Sequence, residues 1–176
     1  GLLIMAISEL NRVAPQPAEQ IDLPRGAPFG SVELDVDACT LCLACVGACP
    51  AGALGDNPDQ PMLRFSESAC VQCGICAATC PENAIALTPQ IDFAAWQQPR
   101  RVLKHEPPFE CTSCGKPFGT RSSIERITER LADHWMFTGE EGAKRRALLT
   151  MCDDCRTRQV VLDGFDPIDK PPVTRN

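Results

Sequence analysis

Twelve cysteines carry most of the chemistry that this chain's residue types could perform. Each lies three or four residues from another: Cys39, Cys42, Cys45 and Cys49; Cys70, Cys73, Cys76 and Cys80; Cys111 and Cys114; Cys152 and Cys155. Thiolates at that spacing converge on one metal centre, whereas disulfide frameworks scatter their partners along the chain. The spacing therefore points to metal ligation in a reducing compartment. No other reactive constellation competes with it. The sequence holds no P-loop, no G-x-G-x-x-G after a strand, and no set of nucleophile, base and orienting group. His105 and His134 read as surface or helix-face residues, and Arg100, Arg101, Lys104, Lys144, Arg145 and Arg146 as solvated basic groups.

The first eight cysteines form an internal repeat. Adding 31 to Cys39, Cys42, Cys45, Cys49, Pro50, Ala53 and Leu54 lands on Cys70, Cys73, Cys76, Cys80, Pro81, Ala84 and Ile85. Each half reads Cys-x-x-Cys-x-x-Cys-x-x-x-Cys-Pro, a pattern that resembles the bacterial dicluster ferredoxin family over roughly Val32 to Pro89. The resemblance implies two [4Fe-4S] clusters with crossed ligands: Cys39, Cys42, Cys45 and Cys80 for one, Cys70, Cys73, Cys76 and Cys49 for the other. Three closely spaced thiolates can wrap a loop around one cluster, while Pro50 and Pro81 fix the chain direction after the fourth cysteine. One departure stands out between the halves, Leu43 where the second has Gly74, which predicts less room for backbone approach at the first cluster.

The last four cysteines form two C-x-x-C pairs separated by residues 115 to 151. With Gly115 after Cys114, the pattern resembles a zinc ribbon, which implies one structural Zn held by Cys111, Cys114, Cys152 and Cys155. A single rubredoxin-like Fe or a further Fe-S cluster accepts the same four thiolates and stays open as an alternative.

These sites need small elements to position them. Aromatics are only 5% of the 176 residues and Tyr is absent, so metal chemistry must supply stability that a ring-rich core would otherwise provide. Val32, Leu34 and Val36 alternate with acidic residues as a half-buried strand does, and Met62 to Phe65 and Ala84 to Leu87 read as further short strands around the turn Gly55 to Pro61. Ser122 and Glu125 predict a capping box opening a helix from Ser122 to about Phe137, ended by Gly139, with a second helix from Glu140 to Thr150. The fold class expected is α+β: a small ferredoxin-like dicluster module plus a four-cysteine knuckle module with a helical insertion. Its boundaries run 1–30 (upstream helix end and Pro-rich linker), 31–90 (dicluster domain), 91–108 (linker), 109–162 (four-cysteine, zinc-ribbon-like module) and 163–176 (disordered tail).

Charge is uneven. Residues 31–90 hold seven acids against Arg64 alone, a surface that disfavours nucleic acid and favours basic partner patches. The longest apolar run, Leu2 to Ile7, is far short of a membrane span and lacks the basic flank of a signal peptide. The function expected is one-electron transfer to or from a redox partner protein or upstream domains of the same polypeptide, in the cytoplasm, with no catalytic site in this chain. Two alternatives stand beside it: the C-terminal electron-transfer portion of a larger iron-sulfur oxidoreductase, and a metal-stabilised redox-sensing or interaction module.

Overall fold

The 31-residue repeat reappears in the backbone of the computed structural model, which describes residues 1–163. Two compact units divide the chain, Gly1–Pro107 and Pro108–Asn176. In the first, α1 (Leu2–Val13), β1 (Gln20–Asp22), β2 (Gly30–Leu34), α2 (Ala44–Ala48), β3 (Leu54–Gly55) and β4 (Met62–Phe65) are followed by a 3-10 turn, Glu67–Ala69. Then come α3 (Ile75–Thr79), β5 (Ile85–Asp92), α4 (Phe93–Gln97) and β6 (Arg101–His105). The strands make two antiparallel sheets ordered β1-β5-β2 and β3-β4-β6.

Moving α2 by 31 residues gives α3, and the strand pairing obeys the same shift. Leu34 pairs with Ile85, and Phe65 pairs with Leu54. Because 65 and 85 are the repeat equivalents of 34 and 54, each half supplies one strand to each hairpin. The halves are interleaved at the level of the ladder, so neither can close its sheet alone.

Backbone torsions repeat as well. Left-handed residues fall in pairs: Leu41 (φ 50°) with Gln72 (φ 53°), Leu43 (φ 59°) with Gly74 (φ 77°), and Gly52 (φ 59°) with Asn83 (φ 51°). Leu43 thus takes the same turn as Gly74 despite its Cβ, at a cost of about 1–2 kcal/mol. Space is not what separates them, since a Cβ on Gly74 would meet only Leu87 Cδ1, at 3.5 Å. The difference between the halves is backbone strain.

Val32, Leu63 and Phe65 are the largest fully buried side chains, and they share one core with Leu41, Ala53, Leu54, Cys45 and Cys76. Burying each such apolar side chain stabilises by about 1.5–3 kcal/mol. A second, smaller core gathers Ile91, Phe93 and Trp96 against Ile4, Ile7, Leu23 and Phe29.

That second core changes the account of the two segments whose composition reads as linker. Residues 11–30 extend α1 to Val13, place β1 on the far edge of β5, and send Leu23 and Phe29 into the Trp96 core. Pro89, which has no N–H to donate, sits where β5 changes partner from β2 to β1. Residues 91–108 likewise form α4 and β6, and β6 pairs with β4 along its length. Residues 11–30 and 91–107 are thus part of the first unit, and Pro108 opens the second.

In the second unit β7 (Pro108–Glu110) and β8 (Pro117–Thr120) make a hairpin, followed by α5 (Arg121–Leu131), a 3-10 turn Trp135–Phe137, α6 (Gly139–Leu149) and α7 (Asp153–Leu162). The helix expected from Ser122 to Phe137 is shorter and starts one residue earlier, with Thr120 as N-cap and no side-chain capping bond. It breaks after Leu131, and Arg145 and Arg146 side chains donate to the carbonyls of Met136 and Phe137 in the turn that follows. Gly139 opens α6 instead of closing α5, and α7 is an element with no counterpart in the sequence reading. Helices mixed with small antiparallel sheets are compatible with the α+β class. The tail expected to be disordered lies, apart from Asp163, outside the described residues. Among the described residues no helix is long and apolar enough to cross a membrane.

Candidate metal centres

The eight repeat cysteines surround two cavities. One, of about 360 Å³ including its mouth, is lined by Cys39, Cys42, Cys45 and Cys80 with Leu34, Leu41, Leu43, Leu63, Glu82 and Ile85. The other, of about 350 Å³, is lined by Cys49, Cys70, Cys73 and Cys76 with Val32, Leu54, Phe65, Gln72, Gly74 and Leu87. Each cavity therefore takes three cysteines from one half of the repeat and the fourth from the other. Exposure follows the repeat too: Cys42 and Cys73 face solvent, Cys45 and Cys76 are buried, and the remaining four are intermediate.

The left-handed turns explain how the backbone serves these sulfurs. Leu41 N–H donates to Cys39 Sγ at 3.5 Å, and the backbone of Gln72 makes the equivalent bond to Cys70. Ala84 N–H donates to Cys80 Sγ at 3.3 Å. Burial works against ionisation of Cys49, yet the N–H groups of Leu54, Ala53, Ala51 and Gly52 together hold its thiol below the ordinary value. Burial pushes Cys45 up to about 11, and its neighbours Cys39, Cys42 and Cys76 add to the shift. Burial also raises Cys39, Cys70 and Cys76. Crowded, half-desolvated thiols of this kind gain most from a cation that takes their protons' place.

The second cysteine group is tighter. The Sγ atoms of Cys111, Cys114, Cys152 and Cys155 all lie within 4.8 Å of one another, and Cys114 Sγ is 3.7 Å from Cys152 Sγ. Four thiolates at about 2.3 Å from one tetrahedral ion would stand roughly 3.8 Å apart. No three of the repeat cysteines meet the same closeness among the described residues. The tight group suits one ion, and the wider cavities suit a larger group.

Different elements deliver the two pairs. Cys111 and Cys114 sit in the β7–β8 connection, where Gly115 turns at φ 72° and its N–H returns to Cys111 O at 2.8 Å. Cys152 is the N-cap of α7 and Cys155 lies in its first turn, so the second pair is helical rather than a second hairpin knuckle. A helix start needs no glycine after Cys155, and its N-terminal dipole favours thiolate. Desolvation opposes it, but the N–H groups of Cys152, Cys114 and Ser113 bring Cys111 down to about 6. Cys155 is lifted to about 12, against a lowering bond from Ser113, by its contacts with Cys114, Cys152 and Cys111.

The histidines stand apart from both kinds of site. His105 bonds Gln60 at 2.9 Å, and His134 caps the 3-10 turn by accepting from Met136 N–H. Sequence reasoning missed two side chains that bond the cysteine loops: Lys104, solvated by its sequence context, bonds the carbonyl of Cys39, and Gln72 donates to Cys70 Sγ.

The repeat that lines these cavities is also where the chain matches a known family: residues 38–85 match the family described as 4Fe-4S dicluster domain. The match spans the cysteine repeat and about a quarter of the chain. No curated protein matches the sequence. The protein thus carries an iron-sulfur cluster-binding domain of the kind used in electron transfer, together with a separate four-cysteine group at 111–155.

Proposed function

We propose that the first unit is a one-electron carrier holding two [4Fe-4S] clusters, one on Cys39, Cys42, Cys45 and Cys80 and one on Cys70, Cys73, Cys76 and Cys49. The observation that carries this reading is the sorting of eight thiols into two cavities with the fourth member crossed. When bound, the clusters supply outer-sphere one-electron transfer. The chain's own residues provide the thiolates, the N–H groups that offset their charge, and a low-dielectric core between the sites. Cys45 and Cys76, one from each set, pack in the same core, which supports sites close enough for exchange. Solvent-facing Cys42 and Cys73 are the natural points of electron entry and exit.

The partner is a redox protein or an upstream domain with a basic docking face, by complementarity to seven acids against one base in residues 31–90. The setting is reducing and cytoplasmic, which suits twelve free cysteines; an export leader ahead of this sequence in its gene would contradict that. The four-cysteine group of the second unit holds one structural Zn and takes no part in electron flow, since four thiolates close the shell and Zn has no redox chemistry.

Anaerobic reductive titration followed by EPR tests the central assignment. We expect uptake of about two electrons per chain, with signals from two interacting clusters. Uptake of one electron, or an isolated uncoupled signal, would overturn the two-cluster reading.

A further inference from the structure

We propose that Lys104 tunes the site of Cys39, Cys42, Cys45 and Cys80, raising its reduction potential through the fixed charge of its ammonium. The inference rests on the two-cluster reading above.

Lys104 belongs to β6, outside the repeat. Its strand partner is Leu63, which lines the cavity of Cys39, Cys42, Cys45 and Cys80. From there Lys104 Nζ reaches the carbonyl of Val36 at 2.8 Å and that of Cys39 at 2.5 Å. Lys104 is half-buried, so solvent screens its charge less than it would a surface lysine.

The repeat supplies an internal control. The equivalent of Cys39 is Cys70, where Gln72 donates a neutral amide to Sγ at 3.5 Å and to Ser31 O at 2.8 Å. An amide dipole at that distance acts more weakly than a whole charge held against the ligand's own carbonyl. Of the neighbouring cations, Arg101 lies on the other side, against Val32 and Phe65 of the second cavity's lining. Arg100 donates to Gly52 O, and Arg101 donates to Ser31 Oγ and Val32 O while lying over the Phe65 ring. Glu82 lines the same cavity as Cys39 with the opposite sign, so a decisive test must remove the charge of Lys104 and nothing else.

Reduction transfers one electron from the reductant to each site, with no bond made or broken, and adds one negative charge there. A neighbouring cation stabilises the reduced form more than the oxidised form, which raises the midpoint. A purely mechanical clamp would instead act through the hydrogen bonds to Val36 and Cys39.

Lys104→Gln keeps a donor for those carbonyls and loses the charge, while Lys104→Arg keeps both. In EPR-monitored potentiometric titrations with dithionite, Lys104→Gln should lower one midpoint, leave the other in place, and be matched by no fall in Lys104→Arg. The same fall should appear in a Cys49→Ala background, where the site beside Lys104 is the one retained. If neither midpoint moves, if both fall together, or if Lys104→Arg falls as far as Lys104→Gln, the proposal is wrong. Should Lys104→Gln load less iron than the wild type, acetylation of the loaded wild-type protein removes the same charge after assembly. Lys104 is the only lysine in residues 1–107, so the modification is selective among the lysines of this unit. A wild-type protein that binds only one cluster would instead contradict the underlying reading, a separate outcome visible before any midpoint is compared.

Discussion

The two units use the same ligand, the cysteine thiol, in opposite ways. In the first, eight thiols ring two cavities inside a core that also buries Val32, Leu63 and Phe65. In the second, the buried hydrophobic residues among the described ones are Cys111 and Cys152 alone, and α5 and α7 bury nothing. The first unit has a core to which its sites are added. The second has a site in place of a core. Loop geometry makes the difference: left-handed turns after Cys39 and Cys70 open a wide bowl, whereas a tight hairpin and a helix start bring four sulfurs within 4.8 Å.

The sharpest way to break this contrast is to remove the tight site. Binding of a structural ion is worth on the order of 10 kcal/mol in small zinc domains, far more than the scattered apolar contacts of α5 to α7 can replace. We expect Cys152→Ala, or chelation, to unfold the second unit, read as loss of helical circular dichroism and protease cleavage between residues 121 and 162. The iron content of the first unit should stay unchanged. Retention of α5 to α7 without metal would show that the second unit has a core of its own.

A smaller effect is expected within the first unit. Cys49→Ala should cut iron from about eight to about four per chain, because one site loses its fourth thiolate while the other keeps all four. The remaining EPR signal should be that of a single uncoupled cluster. Loss of all iron would show that the interleaved strands make the two sites inseparable in folding as well as in space.

The smallest effect separates the halves from each other. Gly74→Leu copies the first half onto the second and should cost roughly 1 kcal/mol, the strain of a left-handed non-glycine residue. Leu43→Gly should change stability by less, since relief of that strain is offset by lost packing of a side chain partly buried against the core. Urea midpoints of the cluster-loaded proteins read both.

The cysteine repeat was legible because ligand geometry leaves little freedom: seven matched positions in the sequence extend, in the structure, to helices, strand register and φ angles. The edge strands were not. Gln20–Asp22 and Arg101–His105 are short and flanked by Pro, and only their pairing with β5 and β4 makes them strands. Trp96 anchors a core against Phe29 and Phe93, whereas Trp135, four residues beyond Leu131, is half exposed because the helix breaks before it. The start of α7 does carry a local signal, Asp153 and Asp154 directly after Cys152, where acidic residues favour a first helical turn. Lys104 gave none, since nothing local tells a solvated lysine from one that folds back onto a carbonyl 65 residues away.

Metal and acid-labile sulfide analysis of anaerobically purified protein tests the contrast between wide and tight sites most directly. The account predicts about eight Fe, about eight sulfides and about one Zn per chain. Iron without sulfide, or a ninth Fe in place of Zn, would contradict it.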